Sequence, residues 1–175
     1  FKQKAAYEIS ACLVGSAGTG IANLLVQLMV SQGADEKTAR SHFWGLGSHG
    51  LLREGLRLRD FQQPFARSKE EFEGWTLDSP DQYTLGDVVR NVHPTILIGC
   101  SAQPGAFTED IVKTMAAQCE RPVIMPLLNP TRKAEALPSD VLTWTDGRAL
   151  VATGSPFKPV MAVSYTHLTL PTSDL

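Results

Sequence analysis

Ala11-Cys12-Leu13-Val14-Gly15-Ser16-Ala17-Gly18-Thr19-Gly20-Ile21-Ala22-Asn23-Leu24-Leu25-Val26-Gln27-Leu28-Met29 is the stretch on which the fold turns. Its apolar run Ala11–Val14 breaks into a glycine-rich turn, after which Ile21, Leu24, Leu25, Leu28 and Met29 recur at helical spacing. The pattern predicts strand, glycine turn and helix. Such a turn has a chemical use, because residues without a Cβ let backbone N–H groups come close to a pyrophosphate at the positive end of a helix. Gly15 and Gly18 fall at the second and third glycines of G-x-G-x-x-G, while Leu13 stands at the first. A tight turn with no ligand would need the same glycines. Placement between a strand and an apolar-striped helix favours nucleotide binding, with Gly15, Ser16, Ala17 and Gly18 as the phosphate-side candidates.

Outward from that turn, Gly33 is a helix stop, Asp35–His42 a short polar helix and Phe43-Trp44-Gly45-Leu46 a second strand. Together these form a βαβ unit, which demands a parallel sheet. Between Arg53 and Tyr83 the periodicity disappears, charges of both signs crowd together, and the segment reads as a long surface loop. Thr84 and Asp87 have capping-box spacing ahead of a helix that buries Leu85, Val88, Val89 and Val92, and Pro94 ends it. Thr95–Ile98 reads as a third strand, Thr108–Cys119 as a helix with Glu109 and Asp110 in its first turn, and Val123–Leu128 as a fourth strand. Ser139–Trp144 and Ala149–Ala152 supply another helix and strand. The expected class is α/β, a Rossmann-like, doubly wound, mostly parallel sheet, truncated.

A dinucleotide fold of this kind usually has an acidic side chain at the end of its second strand, accepting hydrogen bonds from the adenosine ribose. Gly47-Ser48-His49 stands there instead. Three readings are open: weaker ribose binding, substitution by Ser48, or accommodation of a phosphorylated ribose, for which Arg53 is available. A solvated surface arginine is the simpler role for Arg53. Cys100-Ser101-Ala102 and Asn129-Pro130-Thr131 come after predicted strand ends, where open α/β sheets place their ligand crevice. Asn129 can donate and accept hydrogen bonds, or can simply form a turn before Pro130. Cys100 reads as a small packed residue rather than a nucleophile. His42, His49, His93 and His167 have no metal-ligand spacing, so no metal site is assigned in this chain.

Composition narrows the function classes. A chain of 175 residues with 43% hydrophobic and 19% charged residues has the make-up of one ordinary globular domain. Its net charge of -2 gives no basic footprint for nucleic acid or an anionic membrane, and it has no apolar run near the length of a membrane span. Three widely spaced cysteines, Cys12, Cys100 and Cys119, with no export signal at Phe1-Lys2-Gln3-Lys4, lead to the expectation of a reducing, cytoplasmic setting.

The segments GSAGTGIANLL (15–25), FWGLGSHGLL (43–52), HPTILIGCSAQPGAFTEDIVKTMA (93–116), ERPVIMPLLNPT (120–131) and WTDGRALVATGSPFKPV (144–160) resemble, in that order, the successive signatures of the malic enzyme family. The most specific is the last, Thr145-Asp146-Gly147-Arg148 followed by Ala152-Thr153-Gly154-Ser155-Pro156-Phe157. The resemblance implies that residues 15–160 are an NAD(P)-binding domain of an NAD(P)-dependent decarboxylating malate dehydrogenase. It implies that Gly15, Ser16, Ala17 and Gly18 hold the pyrophosphate, Gly47 and Ser48 sit beside the adenosine ribose, Cys100 and Ser101 border the nicotinamide side, and Asn129 contacts malate or cofactor. The family has Asp where Gly47 stands and Gly where Leu13 stands, departures that bear on cofactor affinity or subtype.

By the same resemblance the intact enzyme, with Mg2+ or Mn2+, oxidises L-malate at C2 with NAD or NADP and releases CO2 to leave pyruvate. The catalytic Tyr and Lys, the metal-binding carboxylates and the substrate arginine would precede Phe1, so this chain is expected to carry no catalytic residue and to be inactive alone. A homo-oligomer is expected of the intact enzyme, with no nucleic-acid or membrane partner. The alternatives are a malolactic enzyme, which turns malate to lactate, and a non-catalytic nucleotide-binding module. Residues 1–14 are expected to be a poorly matching start followed by the first strand, and residues 161–175 a non-native tail resembling a translated sequencing adapter.

Overall fold

The computed structural model describes residues 11–80, 82–101, 103–162 and 165–166. The short apolar run forms β1 (Ala11–Val14), and the chain turns out of the sheet at Gly15 with φ of 102° into α1 (Ser16–Ser31). The helix stops as expected, with Gly33 taking a left-handed φ of 98°. Asp35 caps α2 (Glu36–Ser41), accepting from the Thr38 N–H at 2.9 Å, and that bond holds its carboxyl below the ordinary range. The chain then enters β2 (Phe43–Gly47), which runs parallel to β1 with Ala11 beside Phe43 and Val14 beside Leu46.

After β2 the chain departs from the expected plain loop. Ser48 and His49 make a two-residue turn into β3 (Gly50–Leu51), which runs back antiparallel along β2. Gly50 is required there: its φ is 84°, and a Cβ would fall 2.3 Å from the Tyr83 carbonyl oxygen. The segment beyond contains a 3-10 turn at Gln63–Phe65 and α3 (Lys69–Phe72). One buried cation anchors it. Arg67, 5% exposed, lies 3.8 Å from the Trp44 ring centroid and donates to the Ser41 and Phe43 carbonyls and to Glu71. Trp75 packs against Trp44 and Tyr83, and Tyr83 against Phe72, so the excursion is ordered by aromatic contacts that have no sequence period.

The remaining elements fall within a residue or two of the expected bounds. Thr84 and Asp87 form the capping box of α4 (Leu85–Val92), followed by β4 (Ile96–Gly99). Then come α5 (Glu109–Gln118) with Thr108 as its cap, β5 (Val123–Pro126), α6 (Pro138–Trp144) and β6 (Leu150–Val151). β4 lies beside β1 on the side away from β2, giving the sheet order β3-β2-β1-β4-β5-β6 with only β3 antiparallel. Both faces are covered, because successive side chains of a strand point opposite ways. Leu97 joins Val88, Val89, Val112, Met115 and Val141 on the α4–α6 face, whereas Ile98 joins Ala22, Val26 and Phe43 on the α1 face. β7 (Met161–Ala162) and β8 (Tyr165–Thr166) form a separate antiparallel pair. The expectations for residues 1–10 and for most of 161–175 lie outside the described residues.

Candidate functional site

Between β1 and β4 the connections diverge: α1 leaves β1 toward one face of the sheet, and α5 comes after β4 on the other. A crevice at the carboxyl edge is the geometric consequence. A cavity of about 660 Å³ occupies it, lined by Gly15 at the end of β1, Gly47 and Ser48 at the end of β2, and Ser101 and Gln103 after β4. Gly50, Leu52, Leu56, Arg57, Leu58, Arg59 and Gln62 close the β2 side. The antiparallel return of β3 brings these residues over the strand ends.

Gly15, the residue from which α1 starts, lines this cavity. No side chain caps the helix and its first turn holds no acidic residue, so its exposed N–H dipoles have no internal counter-charge. Gly15 is doubly constrained: beyond its φ of 102°, a Cβ would lie 2.3 Å from the Cys100 carbonyl oxygen and 2.8 Å from the Ser101 Cα. The turn therefore nests against the loop after β4. Gly18 is buried, and its N–H closes on the Gly15 carbonyl at 3.1 Å. Ala17 is exposed at the same end, and Ser16 is the first residue of the helix.

Ser101 is positioned by a residue that sequence reading missed. Glu135, with 0% of its surface exposed, accepts from the Ser101 N–H at 2.8 Å and from its hydroxyl at 3.3 Å. Its Oε2 is buried without a hydrogen-bond partner among the described residues, and its side chain fills the space that a Cβ on Gly99 would take. A lone Glu in a loop has no recognisable spacing; only burial identifies it. Burial pushes the neighbouring Cys100 thiol above its ordinary range and the Glu135 charge adds to that, the opposite of what a nucleophilic thiolate needs. Cys100 and Cys119 are both free thiols.

Asn129 stands apart from the residues lining this cavity. Its Nδ2 donates to the Gly154 carbonyl at 2.9 Å and its Oδ1 accepts from the Ser155 hydroxyl, tying the loop after β5 to the Thr153–Pro156 segment. Arg53 also lies outside the cavity lining, its guanidinium 4.9 Å from the Tyr83 ring centroid. The two arginines that do line the crevice, Arg57 and Arg59, lie in the segment whose sequence reads as featureless loop. Among the described residues no group of three His, Cys, Asp or Glu side chains is placed to hold a metal ion.

A doubly wound sheet, a glycine turn pinned against β4 and an uncapped helix start at the reversal of strand order define a dinucleotide-binding domain. The family described as malic enzyme, NAD binding domain, matches residues 6–169, and the chain belongs to that family. The chain is 48% identical to an NAD-dependent malic enzyme of Aliivibrio fischeri over 154 residues, 87% of this chain and 27% of that protein. It is 50% identical over 147 residues to one of Acinetobacter baylyi, covering 83% of this chain and 26% of that protein. An Edwardsiella ictaluri protein of the same description is 48% identical over 148 residues, 84% and 26% of the two chains. The chain thus spans about a quarter of the length of these relatives. No helix among the described residues is long and apolar enough to cross a membrane.

Proposed function

We propose that this chain is the cofactor-binding portion of a malic enzyme, whose reaction is the oxidative decarboxylation of L-malate to pyruvate and CO2 with reduction of a nicotinamide dinucleotide. The observation that carries the reading is the carboxyl-edge cavity between β1 and β4, lined by Gly15 where the uncapped helix α1 begins. On this reading, the first-turn N–H groups of α1, at Ser16 and Ala17, hold the pyrophosphate, Gly15 and Gly18 give it room, and Gly47 and Ser48 border the adenosine ribose. Cys100 and Ser101 flank the path toward the nicotinamide, with Glu135 fixing Ser101 by two hydrogen bonds. Bound there, the nicotinamide supplies the hydride acceptor.

Asn129 keeps the loop after β5 against Gly154 and Ser155, and on this reading presents that loop toward substrate. Divalent metal, acid–base groups and the malate-binding arginine belong to other parts of the intact polypeptide, as does assembly into a homo-oligomer. The test is L-malate-dependent reduction of NAD+ or NADP+ by the intact polypeptide that carries this chain, with Mg2+ or Mn2+ present. Pyruvate and reduced cofactor in equal amounts are expected. Lactate without net reduction would assign the malolactic reaction, and no malate turnover with either cofactor would overturn the reading.

A further inference from the structure

Among the described residues two carboxylates are wholly buried, Asp87 and Glu135, and their surroundings differ. Asp87 lies among donors: the Thr84 and Asp78 N–H groups, the Thr84 hydroxyl and the Arg90 guanidinium all reach it, so its charge meets a counter-charge. Glu135 has no ion-pair partner among the described residues. Its two hydrogen bonds, from the Ser101 N–H at 2.8 Å and the Ser101 hydroxyl at 3.3 Å, both end on Oε1, and Oε2 has no partner among the described residues. A carboxylate buried without a counter-charge is costly, because the interior replaces little of its lost hydration. A cation brought close from outside would offset part of that cost.

This charge lies directly behind the wall of the crevice. Ser101 lines the cavity, and the carboxylate is one hydrogen bond behind it. The Ser101 hydroxyl turns its hydrogen toward Glu135, which can only accept, so the electron-rich side of that oxygen is left facing away from the carboxylate. Gly99 gives the side chain its place, since a Cβ there would lie 2.5 Å from the Glu135 Cδ. The charge already acts on its neighbour, where it adds to burial in raising the Cys100 thiol. No Asp or Glu stands in the cavity lining itself, and the lining arginines, Arg57 and Arg59, belong to the segment after β3. The crevice is thus cationic on that side and has a buried negative charge behind the loop after β4.

We propose that Glu135 biases the crevice toward the oxidised cofactor, its buried charge favouring the cationic nicotinamide ring of NAD+ over the neutral ring of NADH. The proposal rests on the dinucleotide reading, in which Cys100 and Ser101 flank the path toward the nicotinamide, and adds a preference between redox forms. The carboxylate that helps hold the oxidised form loses its attraction once the ring is neutral, which favours release of the reduced product. Two unit charges about 10–15 Å apart, at an effective dielectric of about 20, change an affinity about five- to ten-fold.

The experiment is calorimetric binding of NAD+ and of NADH to the intact polypeptide and to three variants, with circular dichroism and thermal midpoints as the check on folding. The unaltered protein should bind NAD+ more tightly than NADH. Glu135→Gln keeps the shape and removes the charge, so the Kd for NAD+ should rise about five- to ten-fold while that for NADH moves by less than about two-fold. Glu135→Met, a second neutral side chain that needs no polar partner in the buried space, should change the ratio in the same direction. Glu135→Asp keeps the charge but shortens the reach to Ser101, so both affinities should fall together and their ratio stay within about two-fold of the parent. A side chain that only packed the loop would move both affinities in parallel in every variant. NADH bound as tightly as NAD+ or more tightly in the unaltered protein, or a ratio that neither neutral variant moves by more than about two-fold, would overturn the proposal and leave the dinucleotide reading standing. Failure of the unaltered protein to bind either form would overturn both.

Discussion

At the scale of single residues, the glycines separate into those the backbone requires and those it does not. Gly15→Ala must place a methyl group against the Cys100 carbonyl while keeping φ near 102°, so a loss of about 2–3 kcal/mol is expected from a strained backbone and a displaced β4 loop. Gly47→Ala has room and an ordinary φ, so its stability should stay within about 1 kcal/mol of the parent, with any change favouring alanine through the unfolded chain. Urea denaturation of the two variants checks both statements; equal midpoints would mean that the Gly15 turn does not press on β4. A glycine is legible in sequence, but the reason for it is not. Gly15 is readable as a phosphate-turn glycine, yet its nearest constraint is a carbonyl 85 positions further along the chain. Glu135 teaches the same lesson, because its partner Ser101 is 34 positions earlier.

At the scale of elements, α4 shows a local motif extended by the tertiary structure. Thr84 and Asp87 form the reciprocal cap that their spacing predicts, the Asp87 N–H donating to the Thr84 hydroxyl at 3.2 Å and the Thr84 N–H to Asp87 at 2.8 Å. The fold then adds the Asp78 N–H at 3.1 Å and Arg90 to the same fully buried carboxylate. Burial alone would raise its pKa, but the Thr84 and Asp78 hydrogen bonds and the Arg90 charge outweigh it and hold the group below the ordinary range. The folded pKa is therefore below the unfolded one. Its stabilisation is present above the unfolded value and is lost as pH falls through the folded one. Asp87→Asn should cost about 2–3 kcal/mol at pH 7, leaving Arg90 without one carboxylate and a donor facing donors. The difference between parent and variant should shrink as pH falls below about 4. Denaturation curves at pH 7, 5 and 3 test this, and a gap that stays constant to pH 3 would remove Asp87 from the network. Thr84→Ala, which loses only the cap, should cost about 1 kcal/mol.

At the scale of the whole molecule, the chain spans about a quarter of its relatives, and the described part holds a carboxyl-edge crevice and no cluster suited to a metal ion. The expected outcome is a division of labour. Residues 1–175 alone, if circular dichroism shows an α/β fold, should bind nicotinamide dinucleotide without oxidising malate, and malate turnover by that chain would overturn the division. The order of elements is legible from the sequence itself, because each strand and helix advertises its own period, cap or glycine within a few residues. Thr108 before α5, Gly33 after α1 and the alternating faces of Leu97 and Ile98 are signals of that short-range kind. The motifs around Gly15, Asn129 and Gly154 likewise carry the family. Tertiary structure decided what depends on distant segments meeting. β3 turns back along β2, Arg67 buries itself against Trp44, and Arg57 and Arg59 rather than Arg53 come to the crevice. None of these has a period to read, because each is selected by which surfaces close over one another, and a one-dimensional pattern encodes neighbours along the chain but not the partners that folding brings to it.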